Sequence, residues 1–306
     1  MVGQMEQDIL DKISEPRLAK YRTGFQLSSD DHAYAVYLWN KMLAGAMIPV
    51  MQSIEVSLRN AINHAIQIDP RNYGRLWFRR VYRPKDLPSN FDKLHHEIVN
   101  KFTSYDLDLL RENKDPNYKA ILDATYEKKI KKGSAAAKKL YNQHIVGNLM
   151  FGSWGVLLSA EYVDNTHKNK LWPNLTGTVF PNAVGVEKDN LFTIYNDVRL
   201  FRNRVSHNEP LWRPAITGDV IVDSTEQMNK RYDSLLHALG LISAKKREQI
   251  EKSLATQQFR EICSREFYLK LVDNYVAGRI RICKRCKTTY RTSTNRDCKC
   301  NSYARF

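Results

Sequence analysis

Six consecutive residues, Arg202-Asn203-Arg204-Val205-Ser206-His207, place an arginine, an asparagine and a histidine where an apolar helix is about to end. These are the groups needed to cut RNA without a metal ion. A histidine imidazole moves a proton near neutral pH. An arginine guanidinium holds, through paired N–H donors, the charge that builds on a phosphate. In that chemistry a base takes the proton of the ribose 2′-hydroxyl, the oxygen attacks phosphorus, and the 5′-oxygen leaves. The products are a 2′,3′-cyclic phosphate and a 5′-hydroxyl. His207 is the candidate proton-transfer group and Arg202 the candidate for charge stabilisation.

The same pattern occurs earlier, as Arg59-Asn60-Ala61-Ile62-Asn63-His64. In each copy Asn and His are four apart and share one helix face. The arginine precedes the histidine by five, but its long side chain reaches back to the same phosphate. Glu55 and Arg59, four apart, permit a helix-face ion pair. Arg59 and His64 lie inside a regular helix pattern, which favours a structural role. Arg202 and His207 lie at a helix end followed by Asn208-Glu209-Pro210, where side chains are exposed and the backbone can take special geometry.

Several elements must position these residues. Residues 31–67 read as helix, with a kink or break expected at Pro49. Met47, Met51, Ile54, Leu58, Ala61, Ile62 and Ala65 keep a 3.6-residue apolar rhythm. Residues 71–90 are broken by Gly74, Pro84 and Pro88, with Trp77-Phe78 anchoring the connection. Residues 90–145 read as helical and lysine-rich. There EKKIKKGSAAAKKL concentrates six lysines, and Lys128, Lys129, Lys131 and Lys132 are candidates to face RNA. The apolar run from Ile145 reads as core helix, and LWPNLTGTVFPN, from Leu171, as a turn-rich loop. The motif helix starts near Glu187 or Asp189, where acids suit the helix dipole. It carries Leu191, Ile194, Val198, Phe201 and Val205 on one face and ends near His207, because Pro210 and Pro214 follow. Further helical runs cover Thr225 to Leu241 and Ala244 to Val276. No alternating strand pattern of useful length occurs, so the main body is expected to be mostly α.

At 306 residues the chain is long enough for a sizeable core. Its net charge of +15 points to a polyanionic partner, with nucleic acid ahead of membrane. No apolar stretch approaches the ~20 residues that span a bilayer. The opening MVGQMEQDILDKISEP carries acids and no apolar signal core, which argues against secretion. Five cysteines, four of them in the last 24 residues, do not look like a secreted disulfide framework, and a reducing cytoplasm fits better.

Those four form Cys283-x2-Cys286 and Cys298-x-Cys300. Four thiolates in two close pairs suit one tetrahedral Zn2+ in a small knuckle or ribbon. A closed four-sulfur shell leaves no open position, so the metal is expected to be structural. Around it Arg281, Lys284, Arg285, Lys287 and Arg291 interleave with Tyr290. Basic groups with an aromatic suggest RNA backbone contact and base stacking. Cys263, within helix-like sequence, reads as a buried small hydrophobe.

ISEPRLAKYRTGF, AVYLWNKMLAGAMIPVMQSIEVSLRNAI, FGSWGVLL, LWPN and RLFRNRVSHNEPLW occur in that order within residues 13–240. Together they resemble the bacterial Abi-like family of the AbiD/AbiF type. The resemblance implies the HEPN superfamily, compact helical domains whose Arg-x4–6-His motif cleaves RNA. It assigns catalysis to Arg202 and His207, with Asn203 as polar companion. Glu55, Arg59 and Asn60 resemble an acidic-x3-basic element that faces the site in such domains. One histidine per motif is fewer than an acid and a base require. A homodimer would bring two motifs into one cleft; alternatively His64 is the second histidine. The resemblance also implies phage defence, a toxin–antitoxin arrangement and control by a structured small RNA. The expected organisation is a HEPN-type helical bundle over 1–278, with a basic helical insertion at about 71–145 and a zinc element over 279–306. Two rivals remain at this point: a non-catalytic RNA-binding scaffold, and a zinc-containing DNA-binding regulator, which lacks a recognisable helix-turn-helix.

Overall fold

A proline in the first turn of a helix forfeits no hydrogen bond, and Pro16 stands there in α1 (Glu15–Gly24). The long apolar rhythm that follows becomes α2 (Asp30–Ile68), 39 residues in the computed structural model of the chain. The structure describes residues 12–25, 27, 29–100, 135–163, 171–212, 219–276, 280–282 and 289–291. Helix α2 continues through Pro49, where a kink or break was the expectation. Pro49 removes the bond that would return to the Gly45 carbonyl, and Gly45 is exposed, so water can take that acceptor. Met47, Met51, Ile54, Leu58, Ile62 and Ala65 are buried, as the rhythm predicts.

After α2 come α3 (Phe78–Val81), a 3-10 turn at Pro84–Asp86, α4 (Phe91–Asn100) and α5 (Ala135–Asn148). The apolar stretch from Ile145 is not one helix: α5 stops at Asn148, and α6 (Phe151–Val156) restarts beyond Met150. Within the turn-rich segment from Leu171 lies one helical turn, α7 (Thr176–Val179). Then follow α8 (Lys188–Ser206) and α9 (Val220–Ile242). The run to Val276 is three helices, α10 (Ala244–Glu251), α11 (Leu254–Ile262) and α12 (Arg265–Val276). Ser253 makes the first break by accepting from the Thr256 N–H as an N-cap. A two-stranded hairpin follows, β1 (Ile280–Ile282) with β2 (Thr289–Arg291), antiparallel with Arg281 opposite Tyr290. Among the described residues this is the one departure from a helical chain.

The chain divides into two compact units. The first takes Met1–Gln52, Leu200–His237 and Lys245–Phe306. Its core centres on aromatics from all three segments: Trp39 lies 5.1 Å from both Trp212 and Tyr268, and Phe25 lies 5.3 Å from Trp212. The polar atoms of Trp39 and Tyr268 are bonded. Trp39 Nε1 donates to the Ile262 carbonyl at 2.8 Å, and Tyr268 Oη meets His32 Nε2 at 2.8 Å. Cys263 is buried and its thiol accordingly pushed up to about 12, the buried small hydrophobe that was expected.

The second unit takes Ser53–Arg199 and Ala238–Ala244. Trp77 and Phe78, the expected anchor, are both buried there, with Trp77 4.2 Å from Phe78 and 6.0 Å from Trp154. Asn63 and Asn142 form the polar part of this core. Asn63 accepts from Trp77 Nε1 at 2.9 Å and from Asn142 at 3.0 Å, and Gln67 donates to Asn142 at 3.2 Å.

Candidate active site

The site is the carboxyl end of α8. An α-helix leaves its last carbonyls without intrahelical partners, and a left-handed residue just past the end lets the chain turn back to satisfy them. Here that residue is Asn208, with φ of 54°. Asparagine tolerates this region better than other residues with a Cβ. The Asn208 N–H donates to the Val205 carbonyl at 3.2 Å, and the Glu209 N–H to the Arg204 carbonyl at 3.0 Å. This pair of bonds is a Schellman cap with His207 as the residue at the helix boundary. The His207 N–H still bonds back to Asn203 at 2.9 Å, so its position is fixed by the last turn.

The segment leaving the cap is clamped by Asn40 of α2, which is 1% exposed. Its Nδ2 donates to the Glu209 carbonyl at 3.2 Å and its Oδ1 accepts from the Leu211 N–H at 3.0 Å. Next along α2, Lys41 Nζ stands 3.4 Å from Asn208 Oδ1 and 4.9 Å from the Tyr37 ring centre. Trp212 then enters the aromatic core.

Three buried anchors, Asn40, Leu211 and Trp212, therefore hold an exposed motif. Arg202 and His207 are both exposed, and among the described residues neither side chain makes a hydrogen bond or ion pair. Asn203 is half-buried. Arg204 Nε is 3.6 Å from Glu209 Oε2, a charge contact spanning the cap. An unpaired arginine and an unpaired histidine at one helix end can receive an anion and move a proton beside it.

The earlier copy belongs to the second unit and is differently employed. The permitted Glu55–Arg59 ion pair is not formed: Arg59 Nη1 donates instead to the Gly147 carbonyl at 3.3 Å. Gly147 is the second-last residue of α5, so Arg59 serves one of that helix's orphan acceptors. Glu55 is half-buried, while Asn60 and His64 are exposed. Neighbouring Asn63 is committed to the core network.

Lys128, Lys129, Lys131 and Lys132 lie outside the described residues, as do Lys284, Arg285, Lys287 and all four tail cysteines. Of the remaining tail candidates, Arg281 lies in β1, and Tyr290 and Arg291 lie in β2. Asn40, Lys41 and Asn208 were not predicted as site residues. Asn40 did carry a signal, since it is a polar residue between Val36 and Leu43 on the buried face of an amphipathic helix.

The sequence pattern of the family described as Abi-like protein matches residues 8–213. The chain belongs to the Abi-like family. No curated protein and no solved structure matches it. In this Abi-like chain the matched region contains Asn40, the Arg202–His207 motif, the Asn208 cap and Trp212. It excludes Ile262 and Tyr268, which complete the bonding of Trp39 and His32. No helix among the described residues is long and apolar enough to cross a membrane.

Proposed function

We propose that this Abi-like chain is a metal-independent endoribonuclease of the HEPN type, acting in abortive infection. One observation carries the reading: Arg202 and His207 stand exposed and unpaired at a helix end whose backbone is locked by a Schellman cap and by Asn40. A group that only stabilised the fold would be expected to have a partner, as Arg59 does. His207 transfers the proton and Arg202 holds the phosphorane-like transition state, giving a 2′,3′-cyclic phosphate and a 5′-hydroxyl. The second proton transfer comes from His207 of another copy in a homodimer, a reading supported by the structural employment of Arg59 and Asn63 beside His64. Family membership supports the defence role. The net charge of +15 supports RNA as partner, with a structured small RNA as its regulator.

The tail, residues 279–306, is proposed to hold one structural zinc ion. In support, β1 and β2 pair so that residues 283–288, which include Cys283 and Cys286, form their connection. Cys298 and Cys300 would complete the four-sulfur set.

Cleavage of RNA with detection of the cyclic-phosphate end tests the main reading. Arg202→Ala and His207→Ala should each lower the rate by at least about 100-fold. Both side chains are exposed, so melting should hardly change. Folded variants that cut at the wild-type rate would remove these residues from the mechanism. RNA bound tightly but never cut by the wild-type protein would favour the scaffold reading.

A further inference from the structure

Resting on the nuclease reading, we infer that the cleft beside the cap is a base-recognition subsite for an unpaired guanine flanking the scissile phosphate, with Glu209 as its specificity-determining residue. The cleft has a volume of about 570 Å3 and lies wholly within the first unit. Lys20, Tyr21, Arg204, Glu209, Pro210 and Trp212 are among its lining residues. Glu209 is two peptide units from His207, so their Cα atoms are no more than about 7.6 Å apart. A nucleotide in the cleft is therefore a neighbour of the phosphate that His207 serves.

The chemistry of the lining selects the ligand. A carboxylate repels phosphate, so in a chain of net charge +15 its placement beside a phosphate-cleaving motif calls for a donor-rich group. The Arg204–Glu209 separation of 3.6 Å is a charge contact rather than a hydrogen bond, which leaves carboxylate lone pairs to accept. Among the four RNA bases, guanine alone presents two adjacent donors, N1–H and the 2-amino group, beside an acceptor, O6. Two carboxylate oxygens match the donors, and the cations Arg204 and Lys20 match O6 or the neighbouring phosphate. Half-buried Ala19 and Pro210 offer apolar surface to the ring; Tyr21 and Trp212 also line the cleft but are buried. Glu209 enters the cap through its backbone N–H, and beyond the Arg204 contact its carboxylate keeps acceptor capacity for this role.

Two arms test it on the full chain. The first digests random-sequence RNA and reads the bases on either side of each cut. One flanking position should be guanine, and Glu209→Gln should lower the guanine-over-adenine ratio there by about 5- to 100-fold. The second arm needs no cleavage. His207→Ala protein is titrated with short RNAs carrying one guanine, one inosine, which lacks only the 2-amino group, or one adenine. Affinity should fall in that order, and adding Glu209→Gln should erase the order. The inosine comparison stands even if Glu209→Gln misfolds. If the wild-type protein cuts nothing but the affinity order holds, the nuclease reading falls and the subsite survives. Cutting with no flanking guanine, a guanine preference that folded Glu209→Gln leaves intact, or equal affinity for the three RNAs overturns the subsite and leaves the nuclease reading standing.

Discussion

Asn40 binds Leu211 across 171 positions of sequence, its side-chain oxygen accepting the Leu211 N–H at 3.0 Å while its amide holds the Glu209 carbonyl. A buried amide satisfied at both ends fixes the path of the chain that leaves His207.

Asn40→Ala should lower stability by about 1–3 kcal/mol, because a buried N–H and a carbonyl lose their partners. Hydrogen exchange is the direct readout: the Leu211 amide should become fast, and cleavage should fall although no group touching RNA has changed. A Leu211 amide as protected as in the wild type would show that other contacts hold this segment.

The Asn208 cap gives a second expectation. Asn208→Gly keeps the left-handed conformation and should alter the unfolding free energy by only a few tenths of a kcal/mol. Asn208→Val must adopt the same φ against its β-branch and should cost about 1–2 kcal/mol. Chemical denaturation of both variants compares them; equal stabilities would mean the cap relaxes rather than constrains.

A pH-dependent contribution lies at Asp69. Its side chain is 2% exposed and accepts from Arg71 Nη2 at 2.5 Å and from the Arg71 N–H at 2.8 Å. The bond to the Arg71 side chain holds the carboxyl below its usual range. A depressed native pKa adds stability above the unfolded value of about 3.9, and that stability is lost as pH falls through the native value. Asp69→Asn should therefore cost about 1.5–3 kcal/mol at neutral pH and progressively less below about pH 4. A cost that stays constant with pH would show that the carboxylate's charge is not what the substituted amide fails to reproduce.

For the tail, elemental analysis of protein purified without added metal should find one zinc per chain. Cys283→Ser with Cys286→Ser should remove it. Zinc retained by the double variant, or absent from the wild-type protein, would refute the four-cysteine site.

The helical body and the motif were legible for local reasons. An apolar period foretold α2, and Pro210 together with the apolar face foretold where α8 stops, within a residue of His207. The breaks within 244–276 were not foretold, because a serine N-cap such as Ser253 competes with helix continuation by a single side-chain bond. Spacing permitted Arg59 to pair with Glu55, but a distant orphan carbonyl at Gly147 took it. Asn40 could be seen as an odd polar residue on a buried face, yet nothing local names partners that lie 169 and 171 residues ahead.

The unit that carries the motif is assembled from three separated stretches of chain, and Ile262 and Tyr268 of the last stretch bond Trp39 and His32 of the first. On a ribosome, which releases the chain from its amino end, Arg202 and His207 emerge well before those partners do. Until α11 and α12 are clear of the exit tunnel, Trp39 and His32 lack these bonds within the scaffold that carries Asn40. A chain cut short before residue 262 would hold Arg202, His207 and Asn40 yet lack the bonds that Ile262 and Tyr268 make to Trp39 and His32.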